Sequence, residues 1–210
     1  MQTKLEKLIS QYRELGIDKQ IDYDKFYLYS LITHSTAIEG STITELENQI
    51  MFDQGISLKG KSMAELNMNL DLKNAYENAV KLANTHADIS IDLLKDFSAL
   101  VMKNTGQEYK TALGAFSSAR GELRLLNVTT GIGGKSYMNY SKVPAKLSEF
   151  CVWLNKEREN YTHKSTIQLY EISFDAHYHL ATIHPWADGN GRMARLLMNM
   201  LQFEFGLIPT

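Results

Sequence analysis

Apolar residues return at three- and four-residue intervals through most of the chain, a spacing that predicts helices rather than strands. A first helix is expected from about Thr3 to Leu15, stopped by Gly16, and a second from about Asp22 to Glu39. Thr44 with Glu47 and Ser62 with Glu65 are capping boxes. The first opens a short helix; the second opens a long one to about Thr85 that turns Leu66, Leu70, Leu72, Ala75, Ala79 and Leu82 inward. Further helices are predicted from Ile91 to Lys103, Pro144 to Glu157 and Ser165 to Thr182, and a last one opens at Asn190. On that helix Ala194, Leu197, Met198, Leu201 and Phe205 form an apolar face, while Arg192, Arg195 and Asn199 share another.

Thr111 to Tyr140 breaks this pattern. Within it, Glu122 to Thr130 has the branched and apolar content of a short strand, and Gly131, Gly133 and Gly134 can turn the chain, so a small β-hairpin is predicted. A non-helical stretch this long in a compact domain is more often functional than connective. The second helix carries a different irregularity: Leu28, Leu31, Ile32, Ser35 and Glu39 fall within one stripe, so polar residues continue an apolar face. An inward carboxylate is costly unless a cation meets it. The bland alternative is that Glu39, beside Gly40, reaches solvent.

Composition narrows the function classes. With 210 residues and 44% hydrophobic content, the chain can bury one substantial core. A formal charge of -2 gives no electrostatic case for nucleic acid as a partner. The single cysteine, Cys151, leaves no internal disulfide and suits a reducing compartment. No run has the character of a signal peptide or a membrane span, so a cytoplasmic location away from membranes is expected. His177 and His179 lie two apart on a helix, face different directions, and make a weak metal site with His184. The sequence stops at Thr210, one helix after its most distinctive stretch, and a C-terminal portion beyond it stays open.

That stretch is His184-Pro185-Trp186-Ala187-Asp188-Gly189-Asn190-Gly191-Arg192-Met193-Ala194-Arg195. Gly189, Asn190 and Gly191 bring backbone amides to a helix N-terminus, where unpaired N–H groups attract anions. Arg192 and Arg195 add forked positive charge suited to phosphate oxygens. Asp188 would repel a phosphate unless a hard cation such as Mg²⁺ stood between them. His184 has an imidazole suited to removing a proton near neutrality. Together they predict phosphoryl or nucleotidyl transfer from a di- or triphosphate.

The ordered set resembles the signature of the Fic family, HxFx(D/E)GNGRxxR, with Trp186 where the family usually has Phe. Ser35 to Gly40 resembles the family's inhibitory motif, (S/T)xxxE(G/N), and Gly121-x-x-Arg124-x-x-Asn127-Val128 its approach to a flap over the active site. The resemblance implies an all-α Fic bundle with a small β-hairpin flap. Residues 1–88 would be an N-terminal helical region carrying the inhibitory helix, and 89–210 the catalytic core.

It further implies that AMP is transferred from ATP, with Mg²⁺, to a Ser, Thr or Tyr hydroxyl of a target protein. His184 would act as base, Asp188 as metal ligand, and Gly189, Asn190, Gly191, Arg192 and Arg195 as the phosphate cradle. Glu39, with Ser35 in the same motif, would take Arg195 from the γ-phosphate. If separating that pair costs roughly 3 kcal/mol, as for a buried ion pair, the competent population falls about a hundredfold. Leu126, Asn127, Val128 and Thr129 would present a strand edge to the target. Self-modification and a homodimer are compatible with this reading. The alternatives are removal of AMP, a different nucleotide donor, and a catalytically silent nucleotide sensor; the intact His184 argues against the last.

Overall fold

Helix starts are written locally along this chain. In the computed structural model, which describes residues 3–16, 19, 23–131 and 133–210, four helices open on complete capping boxes: Thr3 with Glu6, Thr44 with Glu47, Ser62 with Glu65, and Ser165 with Gln168. In each, the hydroxyl accepts from the third helical amide while the longer side chain accepts from the cap residue's own N–H. The helices are α1 (Lys4–Glu14), α2 (Tyr23–Ile38), α3 (Glu45–Gln54), α4 (Met63–Ala83), α5 (Ile91–Val101), α6 (Val143–Arg158), α7 (Thr166–Ile183) and α8 (Asn190–Glu204). The predicted start of the second helix, Asp22, lies outside the described residues. That helix ends at Ile38, so Glu39 sits just past it in a turn where the amide of Ser41 reaches back to the carbonyl of Thr36.

The fold is a helical bundle with one two-stranded antiparallel hairpin, β1 (Glu108–Thr111) and β2 (Gly114–Ser117). Its register pairs Glu108 with Ser117 and Thr111 with Gly114, and Tyr109 stacks on Phe116 at 4.8 Å. The hairpin therefore precedes the predicted position. Glu122 to Thr130 is not a strand: it is an irregular segment whose one bridge joins Thr129 to Ser136. Its early backbone groups are committed elsewhere, the Glu122 amide to the Ser117 carbonyl and the Arg124 amide to the Pro185 carbonyl, so no ladder can propagate.

One apolar core runs through α2 and α4 to α8, with Ile32, Leu72, Phe97, Leu147, Leu180 and Leu197 fully buried, and a smaller cluster of Ile43, Met51 and Leu66 sits beneath α3. Helix α8 lies between α4 and α7 and is enclosed on more than one side. Met193, Leu196 and Met200 are buried there beside Ala194, Leu197 and Leu201, while Met198 is only half-buried. The predicted single face was too narrow because periodicity marks the apolar stripe but not how many neighbours surround it.

Polar contacts tie α2 to α3 and α4. Asn69 Oδ1 accepts from the Thr36 hydroxyl at 2.9 Å and from Asn48 Nδ2 at 2.9 Å, and Asn48 Nδ2 also reaches the Thr33 hydroxyl at 2.8 Å. These groups are almost fully buried, so their bonds set the height and rotation of the α2 C-terminus. Among the described residues, no helix is long and apolar enough to cross a membrane.

Candidate active site

The loop between α7 and α8 is shaped by its own residues. Trp186 is fully buried and donates its indole N–H to the Gly121 carbonyl at 3.0 Å. Asn190 closes the turn: its Oδ1 accepts from the Trp186 amide at 3.0 Å and its Nδ2 donates to the Trp186 carbonyl at 2.9 Å. The Asn190 side chain is thus structural, which leaves its backbone to face a ligand. Gly189 has φ +79°, a conformation that favours glycine, and a β-carbon there would stand 2.6 Å from Met102 Sδ, which would have to shift. No side chain caps α8, and its first amides take no hydrogen bond among the described residues. The N-terminus is open to an anion.

Two arginines flank that opening in opposite conditions. Arg192 is 3% exposed, touches Met102 Sδ through Nη2 at 3.1 Å, and leaves Nε and Nη1 without hydrogen-bond partners among the described residues. Its nearest carboxylate, Asp188, is 3.8 Å away. Burial draws the Arg192 guanidinium below its ordinary value, with Asp188 acting against it. Arg195 is engaged through two of its nitrogens instead: Nε donates to the Ser35 hydroxyl at 2.8 Å, and Nη2 to the Ser35 carbonyl at 3.0 Å and to Glu39 Oε1 at 2.6 Å. A β-carbon on Gly191 would lie 2.9 Å from that same Glu39 oxygen. The carboxylate therefore stands over the helix N-terminus.

His184 ends α7 in the left-handed conformation, φ +53°, with its ring half-buried. Nδ1 lies 3.2 Å from the Ala181 carbonyl, an arrangement that puts the proton on Nδ1 and the lone pair on Nε2. Burial holds this imidazole below its ordinary value and Arg124 adds to the effect, against the Ala181 carbonyl and Asp188. Asp188 is 57% exposed and accepts from the Gly189 amide. Among the described residues no three His, Cys, Asp or Glu side chains gather as a metal site. A cation here would be held by one carboxylate together with ligand oxygens, which suits Mg²⁺. Cys151 stands apart, its thiol pushed up to about 11 by burial.

The flap-side residues surround His184 through Arg124. This guanidinium is 1% exposed and donates to three carbonyls: His184 at 2.7 Å, Leu126 at 2.7 Å, and Met138. Beyond it, Asn127 Oδ1 accepts from the Tyr140 amide, the Val128 carbonyl from the Tyr137 amide, and Thr129 bridges Ser136. Tyr137 stacks on His184 with ring centroids 3.6 Å apart and planes 16° apart. Of the residues singled out on α8, Asn199 belongs elsewhere, accepting from the Tyr76 hydroxyl at 2.6 Å. Sequence reasoning quoted Arg124 only as part of an approach motif and missed Tyr137, Met102 and Asn69. An arginine set within the apolar run from Leu123 to Leu126, just after Gly121, was the one usable signal.

Residues 88–202 match the model of the Fic/DOC family. The chain belongs to that family. Similar Fic proteins include Protein adenylyltransferase fic-1 of Caenorhabditis elegans, 30% identical over 89% of this chain, and Protein adenylyltransferase Fic of Drosophila melanogaster, 33% identical over 85% of it. This chain spans about a third of each relative, 33% in both cases. Among solved structures, C. elegans Fic-1 (residues 134–508 of that protein) superimposes with a TM-score of 0.65 at 28% identity, covering 86% of this chain and 49% of that one. A Fic-domain signaling protein from Bacteroides thetaiotaomicron reaches 0.77 at 22% identity, covering 99% of this chain and 76% of that one, a likeness of fold. Within the Fic fold Glu39, just past α2, meets the signature loop at the opening of α8, and the segment carrying Arg124 and Tyr137 meets the same loop at His184 and Pro185.

Proposed function

We propose that this chain transfers AMP from ATP to a hydroxyl of a protein, and that Glu39 restrains the reaction. The observation that carries the reading is Arg192: a guanidinium 3% exposed, with two nitrogens unpartnered and its nearest carboxylate 3.8 Å away, stands beside uncapped amides with donors left for a further anion. The relatives named protein adenylyltransferases favour ATP as donor and a protein as acceptor.

In this mechanism the amides of Asn190, Gly191 and Arg192 hold donor phosphate oxygens, whereas the Gly189 amide, expected in the same cradle, is taken by Asp188 Oδ1; both guanidiniums neutralise the leaving phosphates as charge grows on them. His184 Nε2 accepts the proton of a Ser, Thr or Tyr hydroxyl. The hydroxyl oxygen forms a bond to the α-phosphorus while the bond to the pyrophosphate oxygen breaks. Asp188 would hold Mg²⁺, which supplies charge neutralisation at the phosphates when bound. The segment from Leu126 to Thr129 would meet the target's backbone.

The restraint is a contest. Arg195 cannot offer one N–H to Glu39 and to a terminal phosphate at once, and the carboxylate occupies the approach over Gly191. The pair is 17% and 32% exposed, so it lies between surface and buried ion pairs, and releasing Glu39 leaves Arg195 bound to Ser35. A cost near 1.5 kcal/mol, about a tenfold effect, fits this geometry better than the hundredfold of a buried pair.

The test incubates the protein, Glu39→Gly, and Glu39→Gly with His184→Ala, with α-labelled ATP and Mg²⁺. Self-labelling should rise about tenfold in the first variant and vanish in the second. Equal label in all three would remove His184 from its role. Tight ATP binding with no label, in the presence or absence of Glu39, would favour a nucleotide sensor.

A further inference from the structure

We propose that Tyr137 is a positioning residue of the transfer site, holding the His184 imidazole in the plane from which its free nitrogen meets the incoming hydroxyl. This rests on the transfer reading above and adds a component that neither the signature nor the flap motif contains.

The geometry is specific. The two rings lie 3.6 Å apart at 16°, closer than the usual aromatic pair. The contact of Nδ1 with the Ala181 carbonyl selects the tautomer but fixes only one point of the ring, which can still swing about its bond to Cβ. A flat neighbour on one face removes that freedom. It leaves the ring edge, where Nε2 carries its lone pair, uncovered, so Tyr137 orients the base rather than plugging it. Small errors matter here, since displacing a reacting group by about 1 Å costs on the order of a hundredfold in rate.

Arg124 explains how a residue on an irregular segment reaches this position reproducibly. The guanidinium that bonds the His184 carbonyl also bonds Leu126 and Met138, one on each arm of the flap, and Met138 is the chain neighbour of Tyr137. Base and stacking partner are thus referenced to the same buried cation. The left-handed backbone of His184, unfavourable for a residue with a β-carbon, is held in the same way, with the Arg124 amide on the Pro185 carbonyl.

The experiment uses the Glu39→Gly protein as parent and adds Tyr137→Phe or Tyr137→Leu. Two quantities are read: kcat and KM for ATP in self-labelling, and the ring proton signals of His184 in ¹H–¹³C spectra, which a stacked aromatic shifts upfield. Tyr137→Leu should lower kcat by roughly thirtyfold with KM for ATP changed less than about twofold, the pattern of a lost orienting contact. Its His184 signals should move downfield. Tyr137→Phe should keep both kcat and the shifted signals, because the contact is between ring faces and not through the hydroxyl. An unchanged kcat in Tyr137→Leu, or His184 signals that do not move, overturns the proposal. If the parent labels nothing, the transfer reading fails and with it the catalytic purpose of the stack. The spectra then still decide whether Tyr137 orients the ring.

Discussion

On one side of the cleft Glu39 is carried by the end of a helix whose hydroxyls interlock with buried amides of α3 and α4, whereas on the other Tyr137 is carried by an irregular segment gathered by one guanidinium. The first wall is redundant: Asn69 bonds Thr36, Asn48 and Ser41, and each neighbour keeps another contact if one is lost. The second meets the signature loop at fewer places: Arg124 bonds the carbonyls of His184, Leu126 and Met138, and Tyr137 lies on the His184 ring. The difference follows from what each wall does in the proposed mechanism. A carboxylate that competes for a charge must stay put until an anion displaces it. A flap that admits a target's chain gains from few attachments, provided that those it has are strong.

The comparison is broken most severely at Arg124. Arg124→Ala should strand three carbonyls and loosen the paired arms from the His184 loop, costing about 3 kcal/mol of stability and lowering labelling at least a hundredfold in the Glu39→Gly background. Thermal unfolding and initial labelling rates check both parts; a variant that unfolds normally and labels at the parental rate would show that the flap is held by something else. Asn69→Ala tests the redundant wall. It should cost about 2 kcal/mol, a fall in Tm of roughly 4–8 °C, and raise basal labelling by less than Glu39→Gly does, because α2 loosens without losing its carboxylate. A rise equal to that of Glu39→Gly would mean that the network, not the ion pair, holds the restraint.

The smallest effect sharpens the contrast by pH. Burial keeps His184 below the ordinary 6.5, so its neutral, base-competent form should persist as pH is lowered through that value. The acid limb of kcat/KM in the Glu39→Gly protein should therefore have its midpoint below 6.5. A midpoint at or above that value would show a solvated imidazole and a flap that does not cover it.

Much of the frame was legible because it is written in neighbouring residues. The capping boxes at Thr44 and Ser62 place α3 and α4 within a residue of expectation, since a cap is satisfied inside its own first turn. The strand predicted over Glu122 to Thr130 failed for the opposite reason. Its composition suits a strand, but the amides of Glu122 and Arg124 find partners at Ser117 and Pro185, and the second of these lies some sixty residues away. In α8 the apolar stripe was visible, whereas the burial of Met193, Leu196 and Met200 depends on α4 and α7 closing around them.

The sequence by itself determined the order of the helices, the starts of those opened by capping boxes, and the spacing that puts amides, Asp188, Arg192 and Arg195 at one helix opening, because these follow from backbone geometry over a few residues. Only the tertiary structure decided how Ser35 and Glu39 would hold Arg195, a pairing that the family resemblance implies, and which ring would lie on His184. Those outcomes depend on Ser35, Glu39 and Tyr137 arriving from distant parts of the chain, and contacts of that range are set by how the core packs rather than by any local preference.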